Sequence, residues 1–87
     1  MATGQVVFVS RNQGMIVVHH KDGFTLVELL GDEGRVTVGD RVFGDWTAEG
    51  SEPLGTASSV LDTYFQGCWG SVQTAVEVAR RAMAETG

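Results

Sequence analysis

The chain has one cysteine, one proline and six basic side chains against eleven acidic ones in 87 residues. The single cysteine, Cys68, excludes an intrachain disulfide and fits a reducing compartment, so a cytoplasmic protein is expected. A structural zinc site needs about four ligands at short spacings, which one cysteine and two adjacent histidines do not supply. No apolar run approaches the ~20 residues that span a bilayer. The opening MATGQ has no basic region followed by an apolar core, so no secretory signal is expected. Phosphate-cradling glycine loops, nucleophile elbows and metalloprotease motifs are missing. Asp32, Glu33, Asp40 and Asp45 read as loop or turn residues, not as catalytic carboxylate pairs. The expectation is a non-enzymatic chain with no cofactor, no metal, no membrane contact and no small-molecule substrate.

The shortage of positive charge bears on partners. Residues 1–46 carry four basic and six acidic groups, and residues 47–87 carry two and five, for a net charge of −5. Non-specific nucleic-acid affinity comes mostly from lysine and arginine neutralising phosphates. Neither half has that electrostatic footprint.

What the chain does have is glycine, twelve in all, and an apolar fraction of 43% that suits a folded domain. At this length one small domain is expected. The stretch Gly4 to Leu30 holds three Val/Ile/Phe-rich runs separated by Arg11-Asn12-Gln13-Gly14 and Lys21-Asp22-Gly23. Such runs between turn residues read as hairpin-linked strands: strand 1 over Gln5 to Ser10, strand 2 over Met15 to His20, strand 3 over Phe24 to Leu30. In strand 2, Met15, Val17 and His19 share one face and Ile16, Val18 and His20 the other. Both faces of strands 1 and 2 are apolar, which predicts cover on each side. Gly31 to Gly39 reads as a loop, with a brief extended piece at Val36-Thr37-Val38. Strand 4 is predicted over Arg41 to Trp46, with a bulge or bend at Gly44. Thr47 to Gly55, with two glycines and the only proline, reads as a surface loop. Strand 5 is predicted over Ala57 to Phe65.

The period then changes. Trp69, Val72, Val76, Ala79 and Met83 fall at steps of 3 and 4, one stripe of a helix. Ser71 suits its N-cap, and the helix is predicted from Ser71 to Ala84. Residues 1–67 therefore read as a five-stranded antiparallel barrel and residues 68–87 as a helix packed on it, one domain in all and mainly β.

The order Gly4-x-Val6-x-Phe8, Gly14-Met15-Ile16-Val17-Val18, Asp22-Gly23 and Phe24 to Leu29 resembles the cold-shock domain. So do Val38-Gly39-Asp40-Arg41-Val42-Phe43 and Ala57-Ser58-Ser59-Val60 further on. The resemblance covers residues 4–62 and implies an OB-like Greek-key barrel. It also implies single-stranded RNA or DNA binding on strands 1 to 3, with Phe8, Arg11, Met15, Val17 and Lys21 as the surface. The family's residues are largely replaced: Val7 stands for a lysine, Met15, Val17 and Leu26 for phenylalanines, and Glu28 for a histidine. Only Phe8 keeps a ring, where the family has tryptophan. Apolar chains without rings cannot stack on bases.

Two readings stay open: a weak single-strand binder, and a protein-interaction or self-associating module using strands 1–3 or the helix stripe. Two helix placements also stay open. It packs on the face where relatives bind ligand, or it plugs the barrel end left vacant by the short Gly31 to Gly39 loop; the plug is favoured. Adjacent His19 and His20 point to opposite faces and cannot ligate one metal together. Cys68 lies next to a helix N-terminus, where a thiolate is favoured, but no histidine partner is placed for it. Phe8, Phe43 and Trp46 form either a surface trio or, for at least two of them, core. Tyr64, Phe65 and Trp69 read as core and helix packing. Arg11, Lys21, Arg35 and Arg41 contact phosphate only if they converge.

Overall fold

A computed structural model describes residues 2–10, 14–31 and 36–86, with the side chains of 72, 79 and 82–86 left aside. Six strands run β1 (Ala2–Ser10), β2 (Met15–His20), β3 (Gly23–Leu29), β4 (Arg41–Gly44), β5 (Gly50–Gly55) and β6 (Val60–Trp69), followed by a helix α1 (Val72–Thr86). They close into an antiparallel barrel in the order β1-β2-β3-β6-β5-β4. Two three-stranded meanders are thus joined along β3 and β6 and along β1 and β4.

The barrel has six strands, not the expected five, because Gly50–Gly55 is a strand inside the stretch read as a loop. Proline misled that reading. The Leu30 amide donates to the Asp62 carbonyl at 3.3 Å, so Asp62 turns its backbone polar groups toward β3. Pro53 is the β5 partner of Asp62. Its nitrogen therefore faces away from β6, where its missing N–H costs no ladder bond. On that side β4 and β5 join only through Phe43 and Gly55, so the proline sits on the open part of the seam. The last strand also starts later and runs further than its alternation suggests, Val60–Trp69, after a turn in which the Thr56 amide donates to the Ser59 carbonyl at 2.8 Å. The expected extended piece at Val36 to Val38 is a turn held by Asp40, whose carboxylate accepts the Thr37 amide and hydroxyl.

Alternation builds two apolar layers from β2 and β3. Ile16, Val18, Val27 and Leu29 point inward and meet Val6, Val42, Leu54, Leu61 and Phe65 in the barrel core. Met15, Val17 and Leu26 point outward and meet Ala75 of the helix. In β1 the register with β2 slips between Val6 and Phe8. This bulge puts Val7 and Phe8 together against the outer layer and returns Val9 to the inner one. Inside, Trp46 stacks between His20 and Phe65 at centroid distances of 5.7 Å on each side. Gly4 gives that stack room: a Cβ there would collide with Val18 and sit 3.0 Å from the Trp46 ring.

The helix is capped as expected, the Thr74 amide donating to Ser71 Oγ at 3.2 Å. It lies on the outside of the barrel against β2, β3 and β6, not in a barrel end, so the plug placement is corrected. Trp69 and Val76 of the expected stripe pack on the outer layer, joined by Ala75 and Val78. Ala75 is fully buried and Val76 and Val78 are half-buried beside it. Trp69, read as the first residue of the stripe, ends β6 instead. The side chains of Val72, Ala79 and Met83 lie outside the described residues.

Candidate functional site

The apolar part of the surface implied by the cold-shock resemblance is covered. Met15 and Val17, two of its candidate residues, are 7% and 0% exposed, and Leu26 is 1% exposed. Phe8 is half-buried against the same cluster. Glu28, at the edge of this layer, accepts a hydrogen bond from Gln66 Nε2 at 3.1 Å. The helix covers these aliphatic side chains, so this part of the outer face of strands 1–3 is not free for a partner. Arg11 lies outside the described residues.

The next row along the same outer face is open. Arg41 of β4 pairs with Gln5 of β1, Gln5 with His19 of β2, His19 with Phe24 of β3, and Phe24 with Trp69 of β6. Directly paired residues put their side chains on one face, so five strands contribute one side chain each to a single line. Arg41, Gln5 and His19 are exposed, and Phe24 and Trp69 are half-buried at the margin of the helix cluster. The rings of His19 and Phe24 stack with centroids 4.7 Å apart. Lys21, from the turn after β2, joins Arg41, Gln5 and His19 in lining one groove. Of the four cations that contact phosphate only by converging, Lys21 and Arg41 line this one groove; Arg11 and Arg35 lie outside the described residues. Asp22 and Asp40 are the sequence neighbours of Lys21 and Arg41, which keeps the local potential modest. This row combines two cations, an amide, an imidazole and two aromatic rings. Such a set can hold a phosphate at one end and a planar group at the other.

A second polar cluster lies inside the barrel end. His20 is 5% exposed and its Nε2 is 2.7 Å from Thr25 Oγ1. The Asp22 amide donates to His20 Nδ1 at 3.2 Å, and the Thr25 hydroxyl donates to the Trp46 carbonyl at 2.7 Å. A backbone N–H can only donate, so Nδ1 is the acceptor and the neutral ring carries its proton on Nε2, toward Thr25. Burial lowers the His20 pKa; Asp22 opposes this and His19 adds to it. The exposed Cys68 Sγ lies 3.7 Å from the same Nε2. Cysteine therefore has a histidine neighbour after all, brought there because β3 places Thr25 opposite Cys68. In this tautomer Nε2 already holds its proton and cannot take one from the thiol. Among the described residues no three metal-binding side chains gather.

Of the remaining candidates, Trp46 is core, Phe43 and Phe8 are half-buried, Phe65 is core, and Tyr64 is exposed on the outer face of β6. His19 and His20 do point to opposite faces, one exposed and one buried. The row through Gln5 was missed in the sequence because no two of its members are closer than five residues; strand alternation marks each as outward-facing, but only pairing aligns them. Compared with known proteins, the chain matches no family model, and no curated protein and no solved structure is significantly similar to it.

Proposed function

We propose that this chain is a small OB-like barrel, of the same general plan as the cold-shock domain, that binds single-stranded nucleic acid weakly and performs no chemistry on it. The observation that carries this reading is the row of Arg41, Gln5, His19, Phe24 and Trp69 across five strands. It lies two residues beyond Val17 on the outer face of β2, beside the platform that the helix covers. Bases stack on Phe24, Trp69 or the His19 imidazole, and Arg41 and Lys21 take phosphates. Stacking is worth about 1–3 kcal/mol per base. Two phosphate contacts on a chain of net charge −5 keep the affinity low and salt-dependent. The protonated Nε2 of His20 beside Cys68 supports binding over thiol catalysis.

Tryptophan fluorescence tests this, because the two indoles are placed differently. Trp46 is buried in the core, whereas Trp69 is in the row. Titration with an oligo-pyrimidine of about eight nucleotides, within the span one such barrel covers, should quench Trp69 at low salt. The Trp69→Phe variant should lose the signal. Absence of quenching and of any affinity better than about millimolar at low salt would sink the reading, since even non-specific binders do better than that.

A further inference from the structure

Beyond the helix contact, the end of β3 joins β5 and β6 in a surface of different chemistry. Strand pairing aligns Glu28 of β3 with Tyr64 of β6, and Pro53 of β5 with Asp62 of β6. Leu30, just past β3, is hydrogen-bonded through its amide to Asp62. Val60 is the next outward residue of β6. Three large apolar side chains are left in solvent here: Leu30 at 49%, Val60 at 65% and Tyr64 at 42% exposure. With exposed Pro53 they border the Asp62 carboxylate, and a shallow pocket runs along Leu30, Asp62 and Pro53. β3, β5 and β6 contain no lysine and no arginine, so no cation on these strands balances Asp62 or Glu28. The helix packs on the outer face of β3 further back, over Leu26, and beyond it Leu30, Val60 and Tyr64 stay exposed.

We propose that the outer face of β3, β6 and β5 docks a polypeptide segment that sets an arginine or lysine on Asp62 between apolar side chains. A carboxylate framed by apolar groups suits such a residue. The aliphatic stem lies on Leu30 and Pro53, the charged head reaches Asp62, and the Tyr64 ring offers a cation–π contact. Charge complementarity selects this occupant over a second copy of the chain. A two-fold pairing of the face with itself would bring acidic groups together, which is destabilising. Nucleic acid is repelled here for the same reason, so this surface and the row through Gln5 serve different ligands.

The test uses the full 15N-labelled chain and a blocked heptapeptide with a central arginine flanked by leucine and valine. Its control has glutamine in place of the arginine. Amide shifts should change on β3, β5 and β6 and leave His19 and Gln5 untouched. The arginine peptide should bind roughly tenfold more tightly than its control, as close charge pairs at interfaces do. Asp62→Asn, at an exposed site, should leave the thermal melt unchanged and abolish the preference. Tyr64→Ala should weaken binding about threefold. The proposal fails if neither peptide binds, if the two bind equally, if Asp62→Asn keeps the preference, or if the face shifts with protein concentration alone. An oligonucleotide should not displace the peptide, so this outcome is read separately from that of the nucleic-acid titration.

Discussion

His20 Nε2 and Thr25 Oγ1 lie 2.7 Å apart, and the same hydroxyl passes its own proton to the Trp46 carbonyl at 2.7 Å. One threonine therefore ties β2, β3 and the segment after β4 together at the barrel end. All three groups are buried, and among the described residues no buried side-chain nitrogen or oxygen lacks a partner. In a small barrel such a network sets which strands meet as much as the apolar core does.

Thr25→Val keeps the shape of the side chain and removes the hydroxyl. The Trp46 carbonyl then loses its hydroxyl donor, and the His20 N–H keeps only the Cys68 sulfur at 3.7 Å. The expected loss is about 1–3 kcal/mol for each such group, read as a lower urea midpoint with an unchanged slope. Thr25→Ser should retain most of the stability.

Acid should weaken the fold through His20. Its pKa is lowered from 6.5 in the folded chain, chiefly by burial. The unfolded chain thus takes up a proton first as pH falls. The contribution of the neutral ring is complete above about pH 6.5 and is lost as pH falls through the folded value. Urea midpoints measured from pH 7.5 to pH 5 should fall, and His20→Gln should flatten that part of the profile. An unchanged profile in the variant would assign the acid response to other groups.

Gly4→Ala adds one methyl where Val18 and the Trp46 ring already meet the backbone. Overpacking of this kind costs about 1–3 kcal/mol. Near-ultraviolet circular dichroism should show the Trp46 signal altered, because its Nε1 is bonded to the Ala2 carbonyl at 3.0 Å in the same strand.

Ser71→Ala removes the cap of α1, at a cost of about 1 kcal/mol. The helix amides should exchange faster, while those of the inner β-core change little. Loosening the helix uncovers Met15, Val17 and Leu26, so binding of a hydrophobic dye should rise.

Arg41→Ala and Lys21→Ala each remove one phosphate contact of the proposed row. The slope of log affinity against log salt should be about −1.4 for the parent and shallower by about 0.7 in each variant, from the single-strand coefficient. A slope that neither substitution changes would place nucleic acid elsewhere on the barrel.

Much of the architecture was legible in local pattern. Val/Ile-rich runs between glycine turns marked β2 to the residue, and alternation assigned Ile16, Val18 and His20 to one side and Met15, Val17 and His19 to the other. Ser71 and the change of period marked the helix start within a residue. These features depend on near neighbours, so short-range chemistry suffices to read them. β5 was hidden because a proline and two glycines look like a loop until the partner strand shows that the proline nitrogen faces outward.

The sequence by itself determined the meander, the two apolar faces of its strands and the presence of a capped amphipathic helix. It also placed the aliphatic Met15 and Val17 on one face of strand 2 and Leu26 in strand 3. Tertiary structure alone decided what those residues meet. Ala75 meets Met15, Val17 and Leu26, so the helix rests on that face instead of plugging the barrel. It decided, too, that Arg41, Gln5, His19, Phe24 and Trp69 form one line and that Cys68 lies beside His20. The reason is physical: hairpin turns and alternation act over a few residues, whereas pairing across a closed barrel joins positions dozens of residues apart, and no local pattern records which they are.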